Sequence, residues 1–136
     1  MFKRFKRFIK NYLLKLYKED IQLSKGEAFV KAWLNFNNVS YVPQYHIKVP
    51  TFIRKSGNCY ADFMAYIHGK RYIIEYNGRQ HYEFTPHFHK TPKQFNAQLN
   101  RDRYIKAWCK ENNVIFVEIP YYLSSKEVID ELETLL

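Results

Sequence analysis

Two strand-like segments that meet at a tight turn constrain the fold of this chain more than any other feature. They cover residues 59–67 and 71–77, are rich in residues favoured in strands, and flank the dipeptide His68-Gly69. A two-residue loop at this dipeptide sets an antiparallel register in which opposed residue numbers add to 137. Asp62 then lies opposite Glu75. A four-residue loop keeps this register, whereas a three-residue loop changes it.

The pair of acids in this hairpin is the main chemical signal in the sequence. Opposed Cβ atoms on one face are roughly 4.5–5.5 Å apart, so two like charges there are destabilising unless a cation offsets them. Carboxylate oxygens suit Mg²⁺ or Mn²⁺. The alternative is a solvent-facing hairpin with ordinary polar acids, which the apolar neighbours and the rarity of Asp in strands disfavour. Strict alternation groups the side chains by face: Tyr60, Asp62, Met64 and Tyr66 on the first strand, and Arg71, Ile73, Glu75 and Asn77 on the second.

The remaining segments predict a single mixed α/β domain with a central sheet flanked by helices. Further helices are expected at 2–18, from Ser24 to Asn37-Asn38, at 94–111, and after a capping box formed by Ser124 and Glu127. Further strands are expected at 40–49 and 114–119. The element order is therefore α-α-β-β-β-α-β-α. We assign residues 1–20 to a basic amphipathic helix and residues 21–136 to the main domain.

The excess of positive charge points to a polyanionic partner. The chain has 22 Lys and Arg against 13 Asp and Glu, a formal net charge of +9. A compact domain tolerates such self-repulsion most readily beside nucleic acid, with an anionic membrane as the second choice. The helix at 2–18 either packs on the domain with a solvated cationic face, contacts the DNA backbone, or lies on a membrane surface. In the DNA-binding interpretation its contacting cations are Lys3, Arg4, Lys6 and Arg7.

Cysteine content and hydropathy predict a reduced, cytoplasmic protein. Cys59 and Cys109 form no recognised ligand spacing, and two cysteines do not make a disulfide scaffold in a chain of this size. No stretch approaches the length of a transmembrane helix. His87 and His89 fit no usual zinc site with these cysteines, so we expect their loop to contact substrate or solvent.

Several short motifs follow one another in an order that is informative as a set. They are Glu27 in a helix, Ala-Asp-Phe at 61–63, and Ile-Glu-Tyr-Asn-Gly-Arg-Gln-His at 74–81. Together they resemble the PD-(D/E)XK, or restriction-endonuclease-like, nuclease superfamily from about Gly26 to Ile119. The most similar branch is the very-short-patch-repair-like one, which includes the phage-type EDxHD homing endonucleases. The resemblance implies a restriction-endonuclease-like core in residues 21–136 and Mg²⁺-dependent endonuclease hydrolysis of DNA, as a nick or a double-strand cut.

The resemblance also implies roles for individual acids. Asp62 and Glu75 would be metal ligands, joined by the backbone carbonyl of Tyr76, and Mn²⁺ would substitute for Mg²⁺. Glu27 would be an additional acid near the metal or its waters. Asp102 would be a late acid contributed by the helix that follows.

Proton transfer is implied for His81, because a histidine side chain suits general acid–base work on a phosphodiester. The chain departs from the usual superfamily pattern where a Lys is expected two residues after the second acid. Asn77 stands there and cannot act as a cation or a base. Gln80 or His81 would take over this role, and the identity of the general base stays open.

Two of these acids, Glu27 and Asp102, also have alternative explanations that involve structure and no catalysis. Ser24 and Glu27 have the spacing of a capping box, which would explain the acid at 27 without chemistry. Asp102 interrupts an apolar stripe on its helix, and an ion pair with an Arg at the edge of the core or with Lys106 would explain it.

DNA is the favoured partner, and RNA stays open. A homodimer or an accessory DNA-recognition protein would supply the specificity that a small chain lacks, and no small-molecule cofactor is expected. Two other functional classes are compatible with the sequence. One is a non-catalytic nucleic-acid-binding module on a nuclease-like fold, and the other is a membrane- or partner-docking protein that acts through residues 2–18. Beyond that helix, the candidate nucleic-acid contacts are Asn77, Arg79, Arg101, Arg103 and Lys106.

Overall fold

The elements of the fold follow the predicted order. The structure, a computed structural model, describes residues 2–18 and 25–136, and within 2–18 it describes the side chains at 3–12, 14 and 15. The helices are α1 (Phe2–Lys18), α2 (Lys25–Phe36), α3 (Pro92–Glu111) and α4 (Ser125–Glu133), with a short 3-10 turn at Arg79–His81. The strands are β1 (Ser40–Lys48), β2 (Asn58–Ile67), β3 (Lys70–Asn77) and β4 (Val114–Pro120). The predicted mixed α/β fold class is confirmed.

The four strands form one mixed sheet in the order β1-β2-β3-β4. The first two neighbouring pairs are antiparallel, and β3 pairs with β4 in parallel through the α3 crossover. Helices α1, α2 and α4 pack with residues such as Phe63 and Ile74 in one core, while α3 packs with residues such as Met64 and Ile73 in another. The two central strands are therefore covered on both sides.

The register of the β2–β3 hairpin is the predicted one. Ile67 pairs with Lys70 and the ladder runs to Phe63 and Ile74, so opposed numbers add to 137. The two turn residues, His68-Gly69, have φ angles of 50° and 73°, as a two-residue hairpin turn of the favoured hand requires. Asp62 and Glu75 follow directly beyond the last ladder pair.

Strict alternation along β2 was wrong, because the pattern breaks at Asp62. Cys59 and Ala61 pack in the core beside α3, whereas Phe63 packs in the core on the other side of the sheet. The facing strand is distorted at the same level: Gln44, which would oppose Asp62, has a φ of 48° and is left out of the ladder. The regular alternation of side chains between the two sides of the sheet is therefore interrupted at the position of the Asp62 carboxylate.

Helix ends follow local sequence signals. The predicted capping box at α4 is present, with the Ser124 side chain and the Glu127 side chain each bonded to the other residue's backbone N–H. Thr91 caps α3, and Pro92 occupies its first turn. Asn38, in the left-handed region with a φ of 54°, ends α2. The cap expected at Ser24 lies outside the described residues.

Helix α1 is joined to the core by its apolar side. Phe5 and Ile9 are buried, and the Phe5 ring makes edge contacts with Phe29 and Phe36 of α2. The packed helix with an outward cationic face, one of the three alternatives for 2–18, is thus observed. Its exposed cations include Lys3, Arg4, Lys6 and Arg7. None of the helices within the described ranges has the length and apolarity needed to cross a bilayer.

We expect Phe5→Ala to lower the free energy of unfolding by about 3–5 kcal/mol, because a buried ring is replaced by a cavity. Leu14→Ala is the matched control on the same helix, since Leu14 is 52% exposed, and it should cost less than about 0.5 kcal/mol. Urea denaturation measures both. Equal losses in the two variants would show that α1 does not dock through Phe5.

Candidate active site

An open cleft of about 400 Å³ lies where α2, the ends of β2 and β3, the 3-10 turn and α3 meet. It gathers five of the six residues expected to be catalytic, and the sixth, Asp102, lies directly behind His81. Its lining residues are Glu27, Asp62, Glu75, Tyr76, Gly78, Gln80, His81, Phe88, Gln98 and Arg101.

Asp62 is held at the floor of the cleft by the neighbouring strand. Its Oδ2 accepts a hydrogen bond from the backbone N–H of Tyr76 at 2.9 Å. Burial raises the pKa of Asp62 to about 8, with further increases from the negative charges of Glu75 and Glu27. The Tyr76 N–H and the charge of Arg101 act in the opposite direction. A carboxyl in this setting keeps its proton near neutral pH unless a cation is supplied.

Glu75 is more deeply buried, at 4% exposure. Burial raises its pKa, and the nearby charge of Arg101 opposes that shift. The Arg101 Nη2 lies 3.5 Å from Glu75 Oε1, which makes an ion pair but no hydrogen bond. Among the described residues Oε1 has no hydrogen-bond partner. A buried carboxylate oxygen without a donor is costly and is a candidate metal ligand.

Arg101 is an internal cation rather than the surface phosphate contact that the sequence suggested. Its side chain is 16% exposed and bonds to Asp102 Oδ1 at 3.0 Å and to the backbone carbonyl of Tyr60 at 2.7 Å. It therefore ties α3 to β2 while facing Glu75. Its charge favours the ionised form of both acids in the cleft.

His81 and Asp102 form a hydrogen-bonded pair at the side of the cleft. His81 Nδ1 lies 2.9 Å from Asp102 Oδ2, and both side chains are largely buried. The ion pair expected as a structural explanation of Asp102 is also present, because its other oxygen bonds Arg101. Lys106, the alternative partner, instead lies over the ring of Phe116, 5.6 Å from its centre.

Asn77, which occupies the position where the superfamily has a Lys, lies outside the cleft lining. It is 2% exposed, does not line the cleft, and donates from Nδ2 to Glu118 Oε1 at 2.7 Å. The expected contact between Asn77 and nucleic acid is therefore wrong. The cation that faces Glu75 comes from α3 as Arg101, not from β3.

Glu27 reaches the cleft because α2 begins very close to β3. A Cβ atom placed on Gly26 would lie 2.1 Å from the ring of Tyr76, so only glycine allows this approach. The ring of Tyr76 and the N–H that holds Asp62 belong to the same residue, so the start of α2 and the acid pair are positioned together.

The other predicted nucleic-acid contacts lie outside the cleft lining. Arg79 is exposed and pairs with Glu83, Arg103 is exposed and donates to Asn100 at 3.4 Å, and Lys106 is exposed. In the loop at 82–91, His87 is exposed as expected, but His89 is buried at 3% exposure. The loop is therefore largely open to solvent, as expected, and His89 is its buried exception.

Sequence reasoning missed Gln98 and Phe88, which both line the cleft. Gln98 precedes Asp102 by four residues and so shares its helix face, a spacing that could have identified it. Phe88 is 58% exposed in an irregular loop, where periodicity carries no signal.

The donor set fits Mg²⁺ better than a closed structural metal. Within 2–18 and 25–136 no group of three or more His, Cys, Asp or Glu is arranged to hold an ion. Mg²⁺ keeps several of its waters and binds through one or two carboxylates. Asp62 and Glu75 supply such a pair, and the Glu75 oxygen without a donor supports the fit. Cys59 and Cys109 are free and buried.

No family model and no solved structure matches this chain. It is similar to viral proteins: it is 40% identical over 75 residues to "Uncharacterized protein 307L" of Invertebrate iridescent virus 6, covering 55% of this chain and 38% of that protein. It is 42% identical over 55 residues to "Uncharacterized protein 094L" of Frog virus 3, covering 40% of this chain and 36% of that protein. The chain thus spans well under half the length of these relatives. Their names state no activity, and the functional argument rests on the cleft.

The raised pKa of Asp62 makes stability depend on pH. Folded Asp62 holds its proton up to about pH 8, whereas the unfolded chain releases it near the ordinary value of 3.8. The folded state therefore binds more protons between these values, and the free energy of unfolding falls as pH rises through this window. We expect Asp62→Asn to melt above the wild type in EDTA at about pH 8.5, with the difference lost near pH 4.

Thermal unfolding with added Mg²⁺ completes this test. Mg²⁺ should raise the melting temperature of the wild type at about pH 8.5 and leave Asp62→Asn unchanged. Asp130→Asn is the control, because Asp130 is exposed on α4, and it should behave as the wild type in both experiments. If the melting temperature of the wild type changes with neither pH nor Mg²⁺, the raised pKa of Asp62 and the proposed binding of a cation by the acid pair are both contradicted.

Proposed function

We propose that this chain is a Mg²⁺-dependent endonuclease that hydrolyses DNA phosphodiester bonds. The supporting observation is the convergence of two buried acids, Asp62 and Glu75, with the His81–Asp102 pair in one open cleft. The acids offer oxygen ligands, of which Glu75 Oε1 has no hydrogen-bond donor among the described residues, and the histidine offers a group for proton transfer. The resemblance of 26–119 to the PD-(D/E)XK superfamily supports the same chemistry.

Asp62 and Glu75, with the backbone carbonyl of Tyr76, would hold the ion. When bound, Mg²⁺ polarises the scissile phosphate and lowers the pKa of a coordinated water. Nε2 of His81 accepts the proton as the water oxygen forms its bond to phosphorus. The bond from phosphorus to the leaving sugar oxygen breaks, and its electron pair leaves with that oxygen. Asp102 orients the imidazole and stabilises its charged form.

Other lining residues support these steps. Arg101 favours the ionised state of both acids, which is the state that binds a cation. Gln80 and Glu27 reach the same space: the Gln80 amide can donate to water or phosphate oxygens, and the Glu27 carboxylate can accept from a water.

DNA as substrate is supported by the surface of the chain. The formal charge is +9, and exposed cations of α1 give a basic surface that suits a phosphate backbone. Exposed aromatic rings at Tyr82, Phe84 and Phe88 follow directly after the catalytic histidine in sequence. Such rings can stack on bases, and RNA is the alternative polymer.

We further propose that sequence recognition comes from a homodimer or from an accessory DNA-recognition protein. The likeness to viral proteins suggests action on viral or host DNA during infection, and we place that action in the cytoplasm.

Cleavage of supercoiled plasmid tests the proposal. With Mg²⁺ or Mn²⁺ we expect nicked or linear product from the wild type and none in EDTA. Asp62→Asn and Glu75→Gln should each lower the rate at least about 100-fold, because each removes one charged ligand. The formation of nicked and linear product is followed over time on agarose gels.

Glu111→Gln is the matched control, since Glu111 is an exposed acid at the end of α3, and it should retain the wild-type rate. Mismatched, branched and single-stranded DNA and RNA extend the substrate range. If all of these stay intact while nucleic acid is bound equally by the wild type and both acid variants, the non-catalytic binding module replaces the nuclease.

The basic surface of α1 predicts a salt-dependent affinity. Replacing Arg4 and Arg7 together by Gln should flatten the slope of log affinity against log salt by about 1–2, since each lost phosphate contact contributes about 0.9. Lys70 and Lys110 form a charge-matched control, because both are exposed at the hairpin end of the sheet, opposite the cleft. Duplex binding across a salt series measures both double variants. Equal slopes would show that α1 contributes only net charge.

A further inference from the structure

A groove of about 300 Å³ lies beside the cleft, between α3 and the loop at 49–57 that connects β1 to β2. Gln98 and Arg101, which are three residues apart on α3, line both the groove and the cleft. The two spaces are therefore neighbours across one turn of this helix. The other residues that line the groove are Ile53, Arg54 and Ala97, and the proposed mechanism gives no role to any of them.

The loop at 49–57 lies at the same end of the sheet as the acid pair. β2 begins directly after the loop, and Asp62 is in the first half of this strand. Because β3 is antiparallel to β2, the last residues of β3, which include Glu75, reach the same end. A nucleic-acid strand with one phosphate at the acids can therefore continue past Gln98 and Arg101 into the groove.

Backbone hydrogen bonds hold the loop in a defined shape. The Val49 N–H donates to the Gly57 carbonyl at 3.0 Å and closes the base of the loop. Inside it, the Arg54 N–H donates to the Pro50 carbonyl at 3.1 Å, and the Arg54 carbonyl accepts from the Gly57 N–H at 2.8 Å. Val49 is buried in the same core as Ile105 of α3. The two walls of the groove are therefore fixed relative to each other before any ligand binds.

The groove carries positive charge, and one of its cations has no partner within the protein. No acid is among the described residues that line it, whereas two are arginines. Arg101 bonds Asp102 and faces Glu75, so its charge is shared with acids of the protein itself. Arg54 is exposed, and its guanidinium makes no hydrogen bond or ion pair within residues 2–18 and 25–136. Its N–H donors are thus available to an anion.

The chemistry of the groove matches one backbone unit of a nucleic acid. Ile53 and Ala97 offer an apolar wall for a sugar, and the planar guanidinium of Arg54 can donate two parallel hydrogen bonds to phosphate oxygens. Contacts to sugar and phosphate fix the register of a strand without reading its sequence. Such a contact beside the cleft would set which phosphate lies at the acids.

We propose that this groove binds the sugar–phosphate backbone of the substrate strand next to the scissile phosphate, and that Arg54 contacts a flanking phosphate. The proposal rests on the proposed nuclease function for the identity of that strand. Arg54 binds substrate here and takes no part in proton transfer.

Binding without cleavage is the first measurement. The affinity of the full-length chain for a labelled duplex is measured in EDTA by fluorescence anisotropy across a salt series. Arg54→Gln should weaken binding about 3- to 10-fold at low salt and flatten the slope of log affinity against log salt by about 0.9, because one phosphate contact is lost.

Lys55→Gln is the matched control for charge. Lys55 is the exposed neighbour of Arg54 on the same loop and does not line the groove, so its affinity should stay within about 2-fold of the wild type. Both changes are on the surface, and backbone amide spectra confirm that both variants are folded. Equal losses of affinity in the two variants would show an effect of net charge alone and would overturn the proposal.

Neutral phosphates test the contact itself. On a duplex whose cut has been mapped with the wild type, the phosphates flanking the cut are replaced one at a time by uncharged methylphosphonates. At one flanking position the replacement should slow cleavage by the wild type and by Lys55→Gln about 3- to 10-fold at subsaturating enzyme. Arg54→Gln should change less than about 2-fold there, because the partner of that phosphate is already absent. If the wild type and Arg54→Gln respond alike at every flanking position, Arg54 does not contact a flanking phosphate.

Failure of this proposal is distinguishable from failure of the nuclease. If the wild type cuts DNA and Arg54→Gln behaves as Lys55→Gln in both measurements, the nuclease stands and the groove falls. If no nucleic acid is cut and the loss of affinity is confined to Arg54→Gln, the groove stands as a nucleic-acid contact and the nuclease falls.

Discussion

Burial of two carboxyl groups at the open end of the β2–β3 hairpin is the constraint to which the surrounding structure is adjusted. Burial raises the pKa of both Asp62 and Glu75, and the negative charge of Glu75 raises that of Asp62 further, so the pair is costly in its ionised form. The compensating contacts are local and specific: a backbone N–H from Tyr76 for one acid and the guanidinium of Arg101 for the other. The compensation is incomplete, because Glu75 Oε1 has no donor among the described residues. This buried carboxylate oxygen without a hydrogen-bond donor makes the site suited to a cation.

Helix α3 connects the acid pair to His81. Three of its side chains, Gln98, Arg101 and Asp102, fall within one turn and project towards the same region, as helical spacing dictates. Arg101 faces Glu75, Asp102 pairs with His81, and Gln98 accepts a hydrogen bond from the buried His89. Because α3 also packs Ile105 and Cys109 into the core, hydrophobic burial holds it in place independently of its polar contacts. The polar network thus depends on a rigidly packed helix.

Much of the fold could be predicted because its signals are short-range. The element order follows from hydrophobic periodicity, and the hairpin register follows from two turn residues that adopt positive φ. The capping box of α4 involves residues only three apart. The hairpin register placed Asp62 opposite Glu75, and the superfamily resemblance added Glu27, Gln80 and His81 to the candidate site. All five residues line the same cleft.

The sequence by itself determined which residues form each helix and strand, the pairing of β2 with β3, and the presence of an acid pair beside a histidine. Only the tertiary structure decided the break in alternation at Asp62, the inward turn of Asn77 towards Glu118, and the choice of Arg101 as the cation beside Glu75. It also decided that His89 is buried against Gln98 rather than exposed. The reason is physical: periodicity and turn chemistry act between residues near each other in the chain, whereas the partner of a buried polar group is chosen by how whole elements pack.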